Sequence, residues 1–201
     1  MTDPVFVSFA TAGSGYVLEI ERLRRSLDEV GLEHRLETVP DRGSWQANCA
    51  WRPTWLRRRL DELARPVVWV DADAVVRHHP EELFRSGYDL MAWFHAAGRL
   101  AGGTTYWAPT RPARALLAEW ERRASQPVEA WPDSHLKLTE LHLLDAYRVL
   151  RRRLKVNRLA ESYCRIFDWG QGPAIIEHFQ ASRRYKSRVG DARRRRSISV
   201  K

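Results

Sequence analysis

Val67-Val68-Trp69-Val70-Asp71-Ala72-Asp73-Ala74 is the stretch on which the fold turns. Four consecutive apolar residues leave no face for solvent, the pattern of a central strand covered on both sides in a parallel sheet. The strand runs out on two aspartates one residue apart. Ligands of open α/β sheets bind beyond the carboxyl ends of the strands, so this pair stands where a site belongs. A carboxylate at the end of a buried strand is costly unless a cation or hydrogen bonds offset it, and two of them repel. A divalent metal removes both costs. Hard oxygen ligands suit Mg2+ or Mn2+, cations that also bridge diphosphate oxygens. Capping of the following turn by both aspartates is the plainer alternative.

Outward from this motif, Val5-Phe6-Val7-Ser8-Phe9-Ala10 reads as a buried strand that runs into the small residues Thr11 to Gly15. Val17, Ile20, Leu23, Leu27 and Val30 recur at three- and four-residue steps, marking an amphipathic helix that Gly31 is placed to end. Leu32 to Val39 is a second strand, followed by a turn at Pro40 to Gly43. Strand, helix, strand is the opening of a parallel α/β sheet. Pro53 begins a helix through Leu63, at a position where proline is tolerated. Tyr88 to Phe94 and Thr104 to Trp107 read as further strands, Pro112 to Ala124 and about Leu136 to Leu150 as helices. Ala174 to Phe179 is a last strand and carries His178. No repeat or linker divides the chain. The expectation is one α/β domain over residues 1–190, a mixed, mostly parallel sheet flanked by helices, with a basic tail at 191–201.

With 201 residues, 44% of them hydrophobic, the chain can bury a core. No apolar run approaches the roughly 20 residues that span a bilayer, and the start lacks a basic region followed by an apolar one. Cys49 and Cys164 make neither a disulfide framework nor a metal knuckle. A soluble, cytoplasmic protein is expected, in a bacterial host if phage-encoded. The formal net charge is +9, with arginines clustered at 57–59, 151–153, 183–184 and 193–196. That balance attracts polyanions, nucleic acid above all; a GC-rich genome that writes Arg for any solvated cation gives the same count. Beyond His178, Ser182, Arg183, Arg184 and Lys186 offer the hydroxyl and cationic groups a diphosphate needs.

The run Val67 to Val76, with Pro80 and Phe84 after it, resembles the metal-binding signature of GT-A-type nucleotide-diphospho-sugar transferases. Ile176-Glu177-His178-Phe179-Gln180-Ala181-Ser182-Arg183 resembles the histidine-bearing C-terminal motif of the same group. Trp51-Arg52-Pro53 is similar to the Lys-Pro or Arg-Pro that often opens a helix there. The resemblance implies a Rossmann-like GT-A fold, a nucleotide-sugar donor (a UDP-sugar first among them) and Mn2+ or Mg2+. It implies that Asp73 and His178 ligate the metal, with Asp71 on the ribose or on the metal through water. It places Phe9, Ala10 and Thr11 at the nucleoside and Arg52 near the base or phosphates. Ala72 lies within the motif, and Gly102-Gly103-Thr104 would face the sugar, where many relatives carry Asn-x-Gly and this chain does not.

Transfer with inversion needs a carboxylate to take the proton from the acceptor hydroxyl. Glu140 resembles the acidic residue that opens the late helix in these enzymes, with Asp133 and Asp145 as alternatives. Retention would need no such base, and the sequence does not choose between the two outcomes. The positive charge, small size and lack of an anchor suit DNA carrying a hydroxymethylated base as acceptor. Such a base must be flipped out to react and could stack on Trp93, Phe94, Trp107 or Trp131. A glycan, protein or small molecule is the alternative acceptor. From other classes, a metal-dependent phosphodiesterase would need more clustered carboxylates, and a non-catalytic nucleic-acid-binding module has no recognised motif here.

Overall fold

In the computed structural model, which describes residues 2–96, 98–125 and 140–185, the chain opens with β1 (Val5–Thr11), α1 (Tyr16–Glu29) and β2 (His34–Val39). Helices α2 (Trp45–Ala50) and α3 (Arg52–Leu63) lead into β3 (Val67–Val70). Then follow β4 (Ala74–Val76), β5 (Leu90–Phe94), β6 (Leu100–Trp107), α4 (Arg111–Ala124), α5 (His142–Leu150), β7 (Val156–Leu159), β8 (Arg165–Ile166) and β9 (Ile176–His178). Six strands form one sheet in the order β2-β1-β3-β6-β5-β7. Only β6 runs against the rest, so the sheet is mixed and mostly parallel, as expected.

The apolar run of β3 is buried on both faces. Val67 and Trp69 join Trp55, Leu56 and Leu60 of α3, Trp120 of α4 and Leu143 of α5 on one side. Val68 and Val70 join Leu23 and Leu27 of α1 on the other. Each large side chain so covered contributes about 1.5–3 kcal/mol. Helix starts are set locally: Ser44 Oγ accepts from the Ala47 N–H at 3.1 Å, and Thr110 Oγ1 from the Ala113 N–H at 3.3 Å. Gly31, at φ +69°, releases the chain from α1 in the left-handed region that disfavours other residues.

A second sheet of three strands, β4-β9-β8, decides where the site lies. After β3 the chain turns, with the Ala74 N–H donating to the Asp71 carbonyl at 3.0 Å. It leaves the main sheet there, and β4 pairs antiparallel with β9, Ala74 opposite His178. The histidine strand therefore lies beside β4, just past the aspartates, and not beside β3 itself. The sequence reading did not include α2, β4, β7 or β8, since segments this short show no period. Of the helix expected from about Leu136, the described part is α5; residues 136–139 lie outside the described residues. No helix among the described residues is long and apolar enough to cross a membrane.

Candidate metal centre

Asp71 and Asp73 sit on the turn between β3 and β4, and β9 brings His178 to the same corner. One ligand atom from each of the three can be chosen so that all lie within 4.8 Å of one another. Residues 108 positions apart in sequence, Asp73 and Ala181, are also joined here: the Ala181 N–H donates to Asp73 Oδ2 at 2.6 Å. That contact needs a sharp reversal after β9, supplied by Gln180 in the left-handed region at φ +47°. The Asp73 carbonyl accepts from the Phe179 N–H at 3.1 Å and from Arg22 Nη2 at 3.3 Å. Asp73 is thus fastened by backbone and side chain alike.

The two carboxylates are held differently. Asp71 is half-buried; its Oδ1 accepts from Trp69 Nε1 at 2.8 Å and from Arg52 Nη1 at 3.2 Å, and its N–H donates to the Gly103 carbonyl at 2.8 Å. Trp69 and Asp71 are two apart, so they share a strand face. Asp73 is only 8% exposed. Burial, with Asp71 beside it, pushes its carboxyl up to about 6, against a hydrogen bond from Ala181 that lowers it. Burial pulls His178 below the usual imidazole range. Its neutral form is the one that ligates metal.

Arg52 is buried, spans from Asp71 to the Gly102 carbonyl (2.7 Å) and lies 5.0 Å from the Trp69 ring centroid. The Gly102 N–H in turn donates to Glu140 Oε1 at 3.4 Å. Burial raises the Glu140 carboxyl, as does Asp71, while the Gly102 N–H, Arg52 and Arg99 act the other way. Gly103 has no room for a side chain. A Cβ there would lie 2.8 Å from His178 Cε1, 3.0 Å from Nδ1 and 3.2 Å from Cys164 Sγ. Gly103→Ala must displace the imidazole or the strand. We expect a loss of about 1–3 kcal/mol of stability and roughly tenfold or greater weakening of Mn2+ binding. Thermal melting and a Mn2+ titration check both, and a parent-like result in each would remove the steric argument.

The corner lines a cleft of about 870 Å³. Phe9, Ala10, Thr11, Arg52, Asp71, Ala72, Asp73, Gly103, Glu140, His178 and Ser182 all line it. Gly102 acts from just behind the lining, through its backbone. Other expected members are placed elsewhere. Arg183 pairs with Asp168 and faces the Phe167 and Trp169 rings outside the lining, because on a helical turn it points about 100° away from cleft-lining Ser182. Thr104 is fully buried behind His178 and does not face the cleft. Trp107 is core, stacked on Trp120 with centroids 6.1 Å apart, and Trp93 and Phe94 do not line the cleft. Asp133, Lys186 and Trp131 lie outside the described residues. Asp145, on α5, pairs with Arg148 at the surface.

The structure also gathers residues the sequence reading missed. Tyr16, Trp45, Asn48 and Tyr185 also line the cleft. Tyr185, whose OH lies 3.0 Å from the Gly15 carbonyl and 2.9 Å from Glu19 Oε1, closes its ring over Gly15. No local pattern announces such a contact. Trp69, by contrast, was readable from its period-two relation to Asp71.

No protein-family profile matches the chain, and neither does any curated protein. Solved structures do. A glycosyltransferase involved in the glycosylation of the major capsid of PBCV-1 superposes with a TM-score of 0.58 at 11% identity, over 88% of this chain and 93% of that one. The glycosyltransferase GlyE of Streptococcus pneumoniae TIGR4 gives a TM-score of 0.58 at 12% identity, over 89% of this chain and 55% of GlyE, about half its length. At such identities the likeness shows a fold shared with glycosyltransferases.

Proposed function

We propose that the chain is a metal-dependent glycosyltransferase that moves a sugar from a nucleotide-diphosphate donor to a hydroxyl acceptor. One observation carries this reading: Asp71, Asp73 and His178 converge in a large cleft, beyond the carboxyl end of a central strand. Two hard carboxylates and a neutral imidazole fit Mn2+ or Mg2+. Burial first, and Asp71 second, raise the Asp73 carboxyl, and a dication offsets both costs. When bound, such an ion neutralises charge that develops on a leaving diphosphate.

The chain's own residues divide the remaining work. Phe9, Ala10 and Thr11, at the end of β1, line the nucleoside end. Ser182 offers its hydroxyl to the diphosphate, and Gly103 lies against the sugar. Arg52 holds Asp71 in place and contributes a buried positive charge close to the phosphates. Glu140 takes the acceptor proton in an inverting reaction; its raised carboxyl lies nearer the working pH, as a general base requires. A reducing compartment, the cytoplasm, suits Cys49 and Cys164, neither of which is in a disulfide.

For the acceptor, the net charge of +9 supports DNA carrying a hydroxymethylated base. Arg57 and Arg59 are paired with Glu121 and Glu37 at 2.8 and 2.7 Å, which draws them away from a phosphate backbone. A glycan, protein or small-molecule hydroxyl is the other acceptor class. Calorimetry with UDP-sugars, with and without Mn2+, tests the donor half: heat of binding that appears only with metal is expected. Absence of binding in both arms would sink the transferase reading and leave a nucleic-acid-binding module. Sugar transfer to hydroxymethylated DNA, assayed by mass spectrometry, tests the acceptor; no transfer and no retention on DNA at low salt would remove it.

A further inference from the structure

Behind the metal corner stands a polar group that the cleft never touches. Thr104, on β6, is fully buried, and its Oγ1 lies 3.0 Å from Nε2 of His178. The same stretch of β6 supports the imidazole in two further ways. Gly103 lets the ring lie directly on the backbone, where any Cβ would lie within 3.0 Å of Nδ1 and Cε1. Its carbonyl accepts the Asp71 N–H, so the strand that seats the histidine also seats the first aspartate.

His178 has two nitrogens, and the surroundings treat them unequally. Nε2 points into the core, against a hydroxyl. Among the described residues Nδ1 has no hydrogen-bond partner, while His178 as a whole lines the cleft. A metal-ligating imidazole must present a lone pair, so its other nitrogen carries the proton. That N–H is buried, and a buried donor left without an acceptor costs about 1–3 kcal/mol. Thr104 Oγ1 is the acceptor within reach.

From this geometry we infer that Thr104 is a positioning residue: it accepts a hydrogen bond from Nε2–H of His178 and so fixes the ring in the tautomer that leaves Nδ1 bare for an ion held with Asp71 and Asp73. The inference rests on the metal reading above. Thr104 touches neither ion nor donor. It acts only through His178, by setting which nitrogen is free and by stopping the ring from turning. Partners of this kind, one bond removed from a metal, are worth about 10–100-fold in affinity.

The test compares Mn2+ binding to the parent, Thr104→Val and Thr104→Ser by isothermal titration, without donor. Valine fills nearly the same volume without the hydroxyl, and serine restores the hydroxyl. Binding to Thr104→Val is expected to weaken about 10–100-fold, and Thr104→Ser to recover most of it. A general loss of packing would not be rescued by serine, the smaller residue. Nitrogen-15 spectra of the Mg2+-loaded parent should show His178 protonated at Nε2 and bare at Nδ1, a reading that needs no variant to fold. If the parent binds Mn2+ and the valine variant binds it equally well, or if the spectra place the proton on Nδ1, the role of Thr104 is refuted while the metal site stands. If the parent binds no metal, the metal reading fails first and takes this inference with it.

Discussion

Asp73→Asn is expected to abolish Mn2+-dependent donor binding while making the metal-free protein more stable. The two effects have one cause. In the fold the Asp73 carboxyl is pushed up to about 6 from an ordinary value of 3.8, by burial first and by Asp71 second. Between those values the folded chain holds a proton that the unfolded chain has lost. The stability linked to this residue is fully present below about pH 4 and is lost as pH rises through about 6. Near neutral pH the ionised group therefore costs on the order of 2–3 kcal/mol, at about 1.4 kcal/mol per unit. Asparagine removes the charge but keeps an oxygen for the Ala181 N–H. Tm should rise by several degrees at pH 7.5, since about 1 kcal/mol moves a chain this size by roughly 2–4 °C. The gap between variant and parent should close near pH 4. Because the variant removes a proposed direct ligand, Mn2+ affinity should fall by more than the roughly 10–100-fold that an outer partner costs. A variant that melts below the parent at pH 7.5 contradicts the electrostatic account; one that still binds donor with Mn2+ contradicts the site.

The second large effect concerns Glu140. Glu140→Gln should lower kcat about 100- to 10,000-fold, the usual worth of a positioned general base, with donor affinity unchanged. Glutamine is close in shape and retains an acceptor for the Gly102 N–H, so the backbone that also holds Arg52 is not disturbed. Steady-state kinetics with saturating donor, beside calorimetric donor binding, separates the two quantities. In the parent, kcat should fall on the acid side as Glu140 takes up a proton, at a pH above the ordinary carboxylate range, because burial and Asp71 raise that carboxyl. The variant should lose this dependence. Near-parental kcat in Glu140→Gln would take the residue out of the chemistry and favour a retaining reaction, which needs no base.

Much of the fold was legible because its signals are local. The four apolar residues of β3 must be covered twice, and the periods of α1 and α4 place one face of each inward. The two aspartates were legible as a site because a strand's carboxyl end in an α/β sheet opens on a crevice. Less could be read of what faces the site. Arg183 looked like a phosphate ligand as one of the cationic groups that follow His178, yet it pairs with Asp168 and lies over the Phe167 and Trp169 rings. Thr104 looked like a sugar contact and proved to be a buried partner of His178. Arg52 was readable as important, but its pairing with Asp71 depends on α3 crossing the end of β3.

The sequence by itself determined the longer elements, the buried central strand and the acidic corner at its end, because each rests on interactions among residues close along the chain. Only the tertiary structure showed how His178 reaches that corner, a place the resemblance had implied for it: the three residues of β4 carry no readable pattern, and yet their pairing with β9 delivers the imidazole. The same holds for Gly103 beneath the ring, Thr104 behind it and the Ala181 N–H on Asp73. Each is a contact between strands or turns distant in sequence, set by how the small sheet packs against the large one, and packing is a property of the whole chain.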